Sequence, residues 1–153
     1  MGFFQAKQKH AYMCYKKGVP REKVYAVVEK GDKYLVIQTS RGDYKYMLAG
    51  GGVEKGEDMV TAIKRECLEE LNVVVEYVRT LGTILDTSEW EYKGKKFTVQ
   101  DKMDIVYTRY VSHVDGMSMG IEGEFDKEDS IVEIDRDEML SHVAEFTKYG
   151  IKL

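Results

Sequence analysis

The apolar positions of this chain change period several times, and each change marks an element. Val24 to Glu29 and Lys33 to Gln38 are short β-rich runs separated by Lys30-Gly31-Asp32, a pattern that predicts a hairpin. Thr39 to Lys45 is polar and contains Gly42, which reads as a loop, and Tyr46-Met47-Leu48-Ala49 then leads into three successive glycines. From Glu57 to Leu71 the period turns helical, with Val60, Ile63, Cys67 and Leu71 on one stripe. Asn72 follows where a left-handed C-cap is expected. Val73 to Val75 restart extended chain, Tyr77 to Glu89 holds more strand, and Lys93-Gly94 makes a turn. Phe97 to Val111 alternates through Val99, Met103, Ile105 and Tyr107, as a half-buried strand does. Asp115 to Asp129 is an acidic, glycine-containing loop, and Ser130 to Ile134 is a last strand. Asp135 with Glu138 three residues on resembles a capping box. It opens a helix whose inner face is Met139, Leu140, Val143 and Phe146, with Gly150 as its stop. Pro20 sits in a short polar stretch after Lys16-Lys17-Gly18. Strands, one helix, more strands and a second helix predict a mixed α/β sandwich, with residues 1–153 as a single domain.

Composition narrows the class of protein. The 153 residues are 43% hydrophobic, enough for one ordinary core. The formal charge of −4, with both signs mixed along the chain, argues against a dedicated nucleic-acid binder and against an acidic disordered tail. No apolar run approaches the length of a membrane span. The opening MGFF has Ala6 where a myristoylation signal needs Ser or Thr. Cys14 and Cys67 make no metal-ligand spacing, and there is no secretory leader, so a reducing cytoplasm is the expected setting.

The chemistry concentrates on the first helix. Glu66, Glu69 and Glu70 occupy about 100° of its circumference, centred about 115° from the apolar stripe. Three carboxylates so close repel one another, and a cation in front of them relieves that repulsion. Ala62, one turn earlier on the same side, leaves space for a ligand. Oxygen-only ligands suit a hard divalent ion, Mg²⁺ or Mn²⁺, of the kind that also binds phosphates. Gly50 to Gly52 read either as a tight turn or as backbone that approaches such an ion or a phosphate. Glu57 and Arg65 lie about two turns apart, where Arg65 can bridge to and orient a glutamate. Taken alone, a glutamate cluster on a helix is a solvated face, and Arg65 with Glu69 an ordinary i,i+4 pair worth about 0.5 kcal/mol at most.

The larger pattern is more specific. Gly51, Glu57, Arg65-Glu66, Cys67, Glu69-Glu70, Asn72 and Val73 are spaced as G-x5-E-x7-R-E-U-x-E-E-x-G-U, where U is a bulky aliphatic. This resembles the signature of the Nudix hydrolases. Cys67 replaces an aliphatic, Asn72 replaces the closing glycine, and Ala49 stands where many members have proline. All the acidic positions and Arg65 are intact; with Gly51 they make six fixed positions, which at roughly 7% usage each coincide by chance about once in ten million starts. The resemblance implies a mixed β-sheet sandwiched between helices and a MutT-like hydrolase. Such an enzyme cleaves the diphosphate linkage of a nucleoside diphosphate joined to another group. It further implies Glu66, Glu69 and Glu70 as ligands of Mg²⁺ or Mn²⁺, with the Gly50 carbonyl as a further ligand, and Arg65 beside them in catalysis. Either Glu66 or an acid of the later loop (Glu122, Glu124, Glu128 or Asp129) serves as general base. The expected partner is a small-molecule nucleoside diphosphate derivative, without nucleic acid or membrane; a homodimer is a family-level expectation.

Other residues carry weaker signals. His10, His113 and His142 share no spacing and read as exposed or locally bonded. Tyr12, Tyr15, Tyr25, Tyr44 and Tyr46 precede the box and serve the core or its rim, with one or two as candidates to stack on a base. Lys16, Lys17, Arg21 and Arg41 are candidates to steer an anion, and Cys67 reads as packing. A Nudix scaffold kept as a silent nucleotide or ADP-ribose binder is the main alternative, against which the intact acids speak. An isomerase on the same scaffold needs further acid/base residues, such as a catalytic cysteine, that have no match here. The motifs that separate Nudix substrates lie outside the box, and the substrate-binding residues are not legible.

Overall fold

A computed structural model describes residues 2–39, 45–115 and 129–153. Its elements run α1 (Phe3–Lys17), β1 (Arg21–Lys30), β2 (Lys33–Gln38), β3 (Tyr46–Met47), β4 (Ala49–Gly52), α2 (Met59–Leu71), β5 (Val73–Tyr92), β6 (Lys95–His113), β7 (Ser130–Asp135) and α3 (Arg136–Val143). A 3₁₀ turn, Ala144–Tyr149, continues α3.

The strands form one seven-stranded mixed sheet in the order β3-β2-β1-β6-β5, with β4 added to β1 and β7 added to β2. Among the described residues only β1 and β6 run parallel, aligned from Arg21↔Asp101 to Glu29↔Arg109. The expected hairpins are present. Lys30 pairs with Lys33 across a turn in which Gly31 has φ of 62°. The β5–β6 turn places Lys93 at φ 49° and Gly94 at φ 77°, the two positive values a type I′ turn requires.

The sheet carries helices on both faces. On one, α2 lays Ile63, Cys67 and Leu71 against Val24, Ala26, Val28, Val75 and Val106. Full burial of each larger apolar side chain is worth about 2 kcal/mol. On the other, Met139 and Val143 of α3, with Ile151, meet Val27, Tyr34, Val36 and Ile105. The sequence reading placed Leu140 and Phe146 on that inner face too; Phe146 packs against it, but Leu140 is 40% exposed.

The N-terminal helix α1 was not anticipated. Among its described side chains the buried ones are Ala11 and Cys14, packed on Phe97 and Val99 in a small separate cluster. Register along β6 is unbroken from Lys95 to Ile105, so Phe97 and Val99 share a face with Met103 and Ile105. α1 and α3 therefore sit on the same side of the sheet. Among the described residues no helix is long and apolar enough to cross a membrane.

Candidate active site

Local chemistry fixes α2 at both ends. The Asp58 carboxylate accepts from the Thr61 amide at 2.7 Å as N-cap, and Asn72 adopts the left-handed conformation at φ 57°, ψ 35°. The helix buries a wider arc than its apolar stripe predicts. Ala62, Glu66 and Glu70 are buried with Ile63 and Cys67, while Val60 is only half-buried. Ala62 is fully covered and packs in the core rather than leaving ligand space.

What admits two carboxylates to the interior is β4. The three glycines are not a turn: Gly50, Gly51 and Gly52 pair with Tyr25, Val24 and Lys23 as an antiparallel strand. A side chain at Gly50 would strike the Val24 carbonyl and lie 2.8 Å from the Tyr25 Cα, so the backbone itself excludes one. At Gly51 the first obstacle would be the Glu66 Oε1, 2.7 Å away. Glu70 is held by the same strand, its Oε2 accepting from the Gly50 amide at 3.2 Å.

Arg65 organises the rest. Its Nε and Nη2 donate to the two oxygens of Glu57 at 2.8 and 2.9 Å. Nη1 reaches Glu66 Oε1 at 3.1 Å and Glu69 Oε2 at 3.4 Å, and Nη2 also donates to the Gly52 carbonyl at 3.0 Å. One guanidinium thus ties the loop, the strand and the acidic face of the helix together. The pairing holds the Glu57 carboxyl below its ordinary range, aided by the Glu54 amide and opposed by burial. It raises Arg65 further above its ordinary value.

One atom in this cluster is left over. Glu66 Oε2 is buried and has no hydrogen-bond partner among the described residues. Such an oxygen is costly unless something positive or donating meets it. Among the described residues no three acidic, histidine or cysteine side chains converge as a ready-made cage.

Five residues singled out from the sequence, Gly50, Arg65, Glu66, Glu69 and Glu70, are therefore brought together. Glu122, Glu124, Glu128, Tyr44 and Arg41 lie outside the described residues; Asp129 stands just ahead of β7. His10 faces Cys14 Sγ at 3.7 Å on α1, and His113 meets Asp115 at 3.0 Å on the surface. Arg21 is engaged in a buried pair with Asp101 at 2.9 Å and lies over the Trp90 ring. Cys67 is fully buried, and burial pushes its thiol up, as a packing residue requires.

Behind β4, on the other face of the sheet, lies a cavity of about 500 Å³. Tyr25, Leu48 and Ile105 line it with Asp86 of β5 and with His142 and Phe146 from the C-terminal helices. Tyr25, the cross-strand partner of Gly50, joins this cavity to the glycine strand. Arg136 Nη1 donates to the Tyr34 hydroxyl at 2.9 Å and pins the first turn of α3 in place as a wall. Asp86 and His142 were not readable as site residues. Three register shifts in the first half of β5 hide which face Asp86 takes, and His142 meets Tyr46 only in the folded chain, ring centroids 6.1 Å apart.

The sequence model of the NUDIX domain matches residues 19–142. The chain belongs to the Nudix family. It is a pyrophosphohydrolase of the Nudix type, with the expected sheet between helices. Its fold resembles a NUDIX hydrolase from Nitrosomonas europaea, with TM-score 0.54 and 22% identity over 82% of this chain and 78% of that one. It also resembles a NUDIX-family hydrolase from Clostridium perfringens, with TM-score 0.56 and 15% identity over 79% and 85%. A third neighbour is an ADP-ribose pyrophosphatase from Streptococcus suis, with TM-score 0.52 and 15% identity over 78% and 76%. No curated protein matches the chain.

Proposed function

We propose that this Nudix enzyme is a divalent-metal-dependent hydrolase of a nucleoside diphosphate linked to another group. The observation that carries this is the buried, unpartnered Glu66 Oε2 beside Glu70 on α2, set against a strand that is glycine at Gly50 and Gly51. These residues fit a hard cation: a carboxylate oxygen without a donor and two neighbouring carboxylates. Glu66, Glu69 and Glu70 would hold Mg²⁺ or Mn²⁺, with the Gly50 carbonyl as a further ligand. When bound, the ion neutralises phosphate charge and makes a bound water a stronger nucleophile.

The chain's own residues do the positioning. Arg65 fixes Glu66 and Glu69 against Glu57, and the Gly50 amide fixes Glu70. The nucleoside occupies the cavity, among Tyr25, Leu48, Ile105 and Phe146, where Asp86 accepts from a base N–H. From there its diphosphate crosses the edge of the sheet at Gly50 to reach the acidic helix. Glu66 or an acid of the Asp115–Asp129 segment takes the proton of the attacking water. The Streptococcus suis neighbour is named for ADP-ribose, and a substrate of that kind suits this cavity. Two unpaired, buried thiols, Cys14 and Cys67, suit a reducing cytoplasm.

The test is a panel of nucleoside diphosphate compounds with Mg²⁺ or Mn²⁺, read as phosphate released after a coupled phosphatase. Glu70→Gln should lower turnover about a hundredfold with the fold intact. Hydrolysis by that variant at the wild-type rate would overturn the assignment.

A further inference from the structure

The two signs of charge are mixed along most of this chain but not in residues 1–20. Residues 1–20 hold Lys7, Lys9, Lys16 and Lys17 with no acid, which leaves 19 cations against all 27 carboxylates elsewhere. The whole-chain balance of −4 averages this away. Beside α1 stands the β5–β6 turn, with Lys93, Lys95 and Lys96 in four residues.

Aromatic contacts make the two elements one surface. The Tyr12 ring lies 5.1 Å from Tyr92 and 6.2 Å from Tyr15, and Tyr15 lies 5.0 Å from Phe97. Lys95 Nζ stands 5.1 Å over the Tyr15 ring and Lys93 Nζ 5.4 Å over Tyr92. Gln8 Nε2 donates to the Glu91 carbonyl at 2.7 Å and fixes the helix on the hairpin. On a helical wheel Lys9 and Lys16 fall within about 60° of Tyr12, on the side opposite the buried Ala11 and Cys14. Lys9, Lys16 and Tyr15 are exposed.

We propose that α1 and the β5–β6 turn form a binding surface for single-stranded nucleic acid, separate from the hydrolase site. Ammonium groups alternating with rings match a strand in which phosphates alternate with bases. Lys9, Lys16, Lys93 and Lys95 take the phosphates, and as Lys95 turns from the Tyr15 ring to a phosphate, that ring is freed for a base to stack on. A lipid surface fits less well. Among the described side chains of α1, the buried Ala11 and Cys14 are already spent on Phe97 and Val99 and are not available for insertion.

Fluorescence anisotropy of the full chain with a labelled 5′-hydroxyl oligonucleotide of about 20 bases, without divalent ions, tests this. Four phosphate contacts give saturable binding whose log–log salt slope is about −3. Lys9→Glu with Lys16→Glu should weaken binding about tenfold, and Lys93→Glu with Lys95→Glu should do the same independently. Tyr15→Ala should weaken it about fivefold with the slope unchanged, the mark of stacking rather than charge. Hydrolysis of small diphosphates stays at the wild-type rate in all three. The proposal is overturned by absence of saturable binding at about 50 mM salt, or by charge reversals that leave affinity within about twofold. Capture by anionic phospholipid vesicles with no affinity for the oligonucleotide overturns it as well.

Discussion

Gly51 and Glu66 share one space. A Cβ on the glycine would sit 2.7 Å from the Glu66 Oε1, and that oxygen is already held by Arg65 Nη1 at 3.1 Å. The carboxylate cannot yield without breaking its bond to the guanidinium. Gly51→Ala should therefore displace Glu66 and lower turnover about a hundredfold while the protein still folds. Gly50→Ala should behave differently, because the obstacle there is the backbone of Val24 and Tyr25. Its expected outcome is loss of folded protein. Circular dichroism melts beside kcat separate the two, and wild-type kcat in Gly51→Ala would refute the shared-space reading.

Arg65 makes its two shortest contacts to both oxygens of Glu57, a geometry lysine cannot reproduce. Arg65→Lys keeps the charge but leaves Glu66 and Glu69 without a fixed partner. It should lower kcat by about tenfold or more with little change in KM. If KM rises and kcat holds, Arg65 acts on the substrate rather than on the glutamates.

How much of this was legible beforehand depended on how local each signal was. α2 was readable because the apolar stripe and Asn72 act within one segment, although its N-cap, Asp58, was not read and its start was placed at Glu57 rather than Met59. The depth of Glu66 and Glu70 was not, because it depends on β4 lying beside β1, which only long-range pairing creates. α1 was missed since, among its described side chains, just Ala11 and Cys14 are buried, and they carry no helical stripe. Gly18, at φ 68°, was its one clear signal, and it was read only as part of a polar stretch. His142 read as exposed or locally bonded because the Tyr46 ring and the cavity wall it meets come from elsewhere in the chain.

Glu57 makes stability depend on acidity. Its folded value lies below the ordinary 4.5, chiefly through Arg65. A depressed carboxylate contributes stability that is fully present above the unfolded value and lost as pH falls through the folded one. The difference in Tm between wild type and Glu57→Gln should stay constant above pH of about 5 and narrow below it. Parallel Tm curves across that range would show that the Arg65 pair does not stabilise the fold.

His142 carries the opposite charge type with the same direction in pH. Burial in the cavity wall lowers it from 6.5, with Glu145 opposing in part. The folded protein resists the proton that the unfolded chain accepts, so stability is complete above 6.5 and declines as pH falls below it. His142→Gln, neutral throughout, should not share that decline. Protonation also places a charge beside Tyr46 in the wall proposed to receive the nucleoside, so the wild-type KM should rise between pH of about 6.5 and 5 while that of His142→Gln stays flat. The two readouts are separable: a Tm that diverges with a KM that does not would keep the burial of His142 and remove the nucleoside from this cavity.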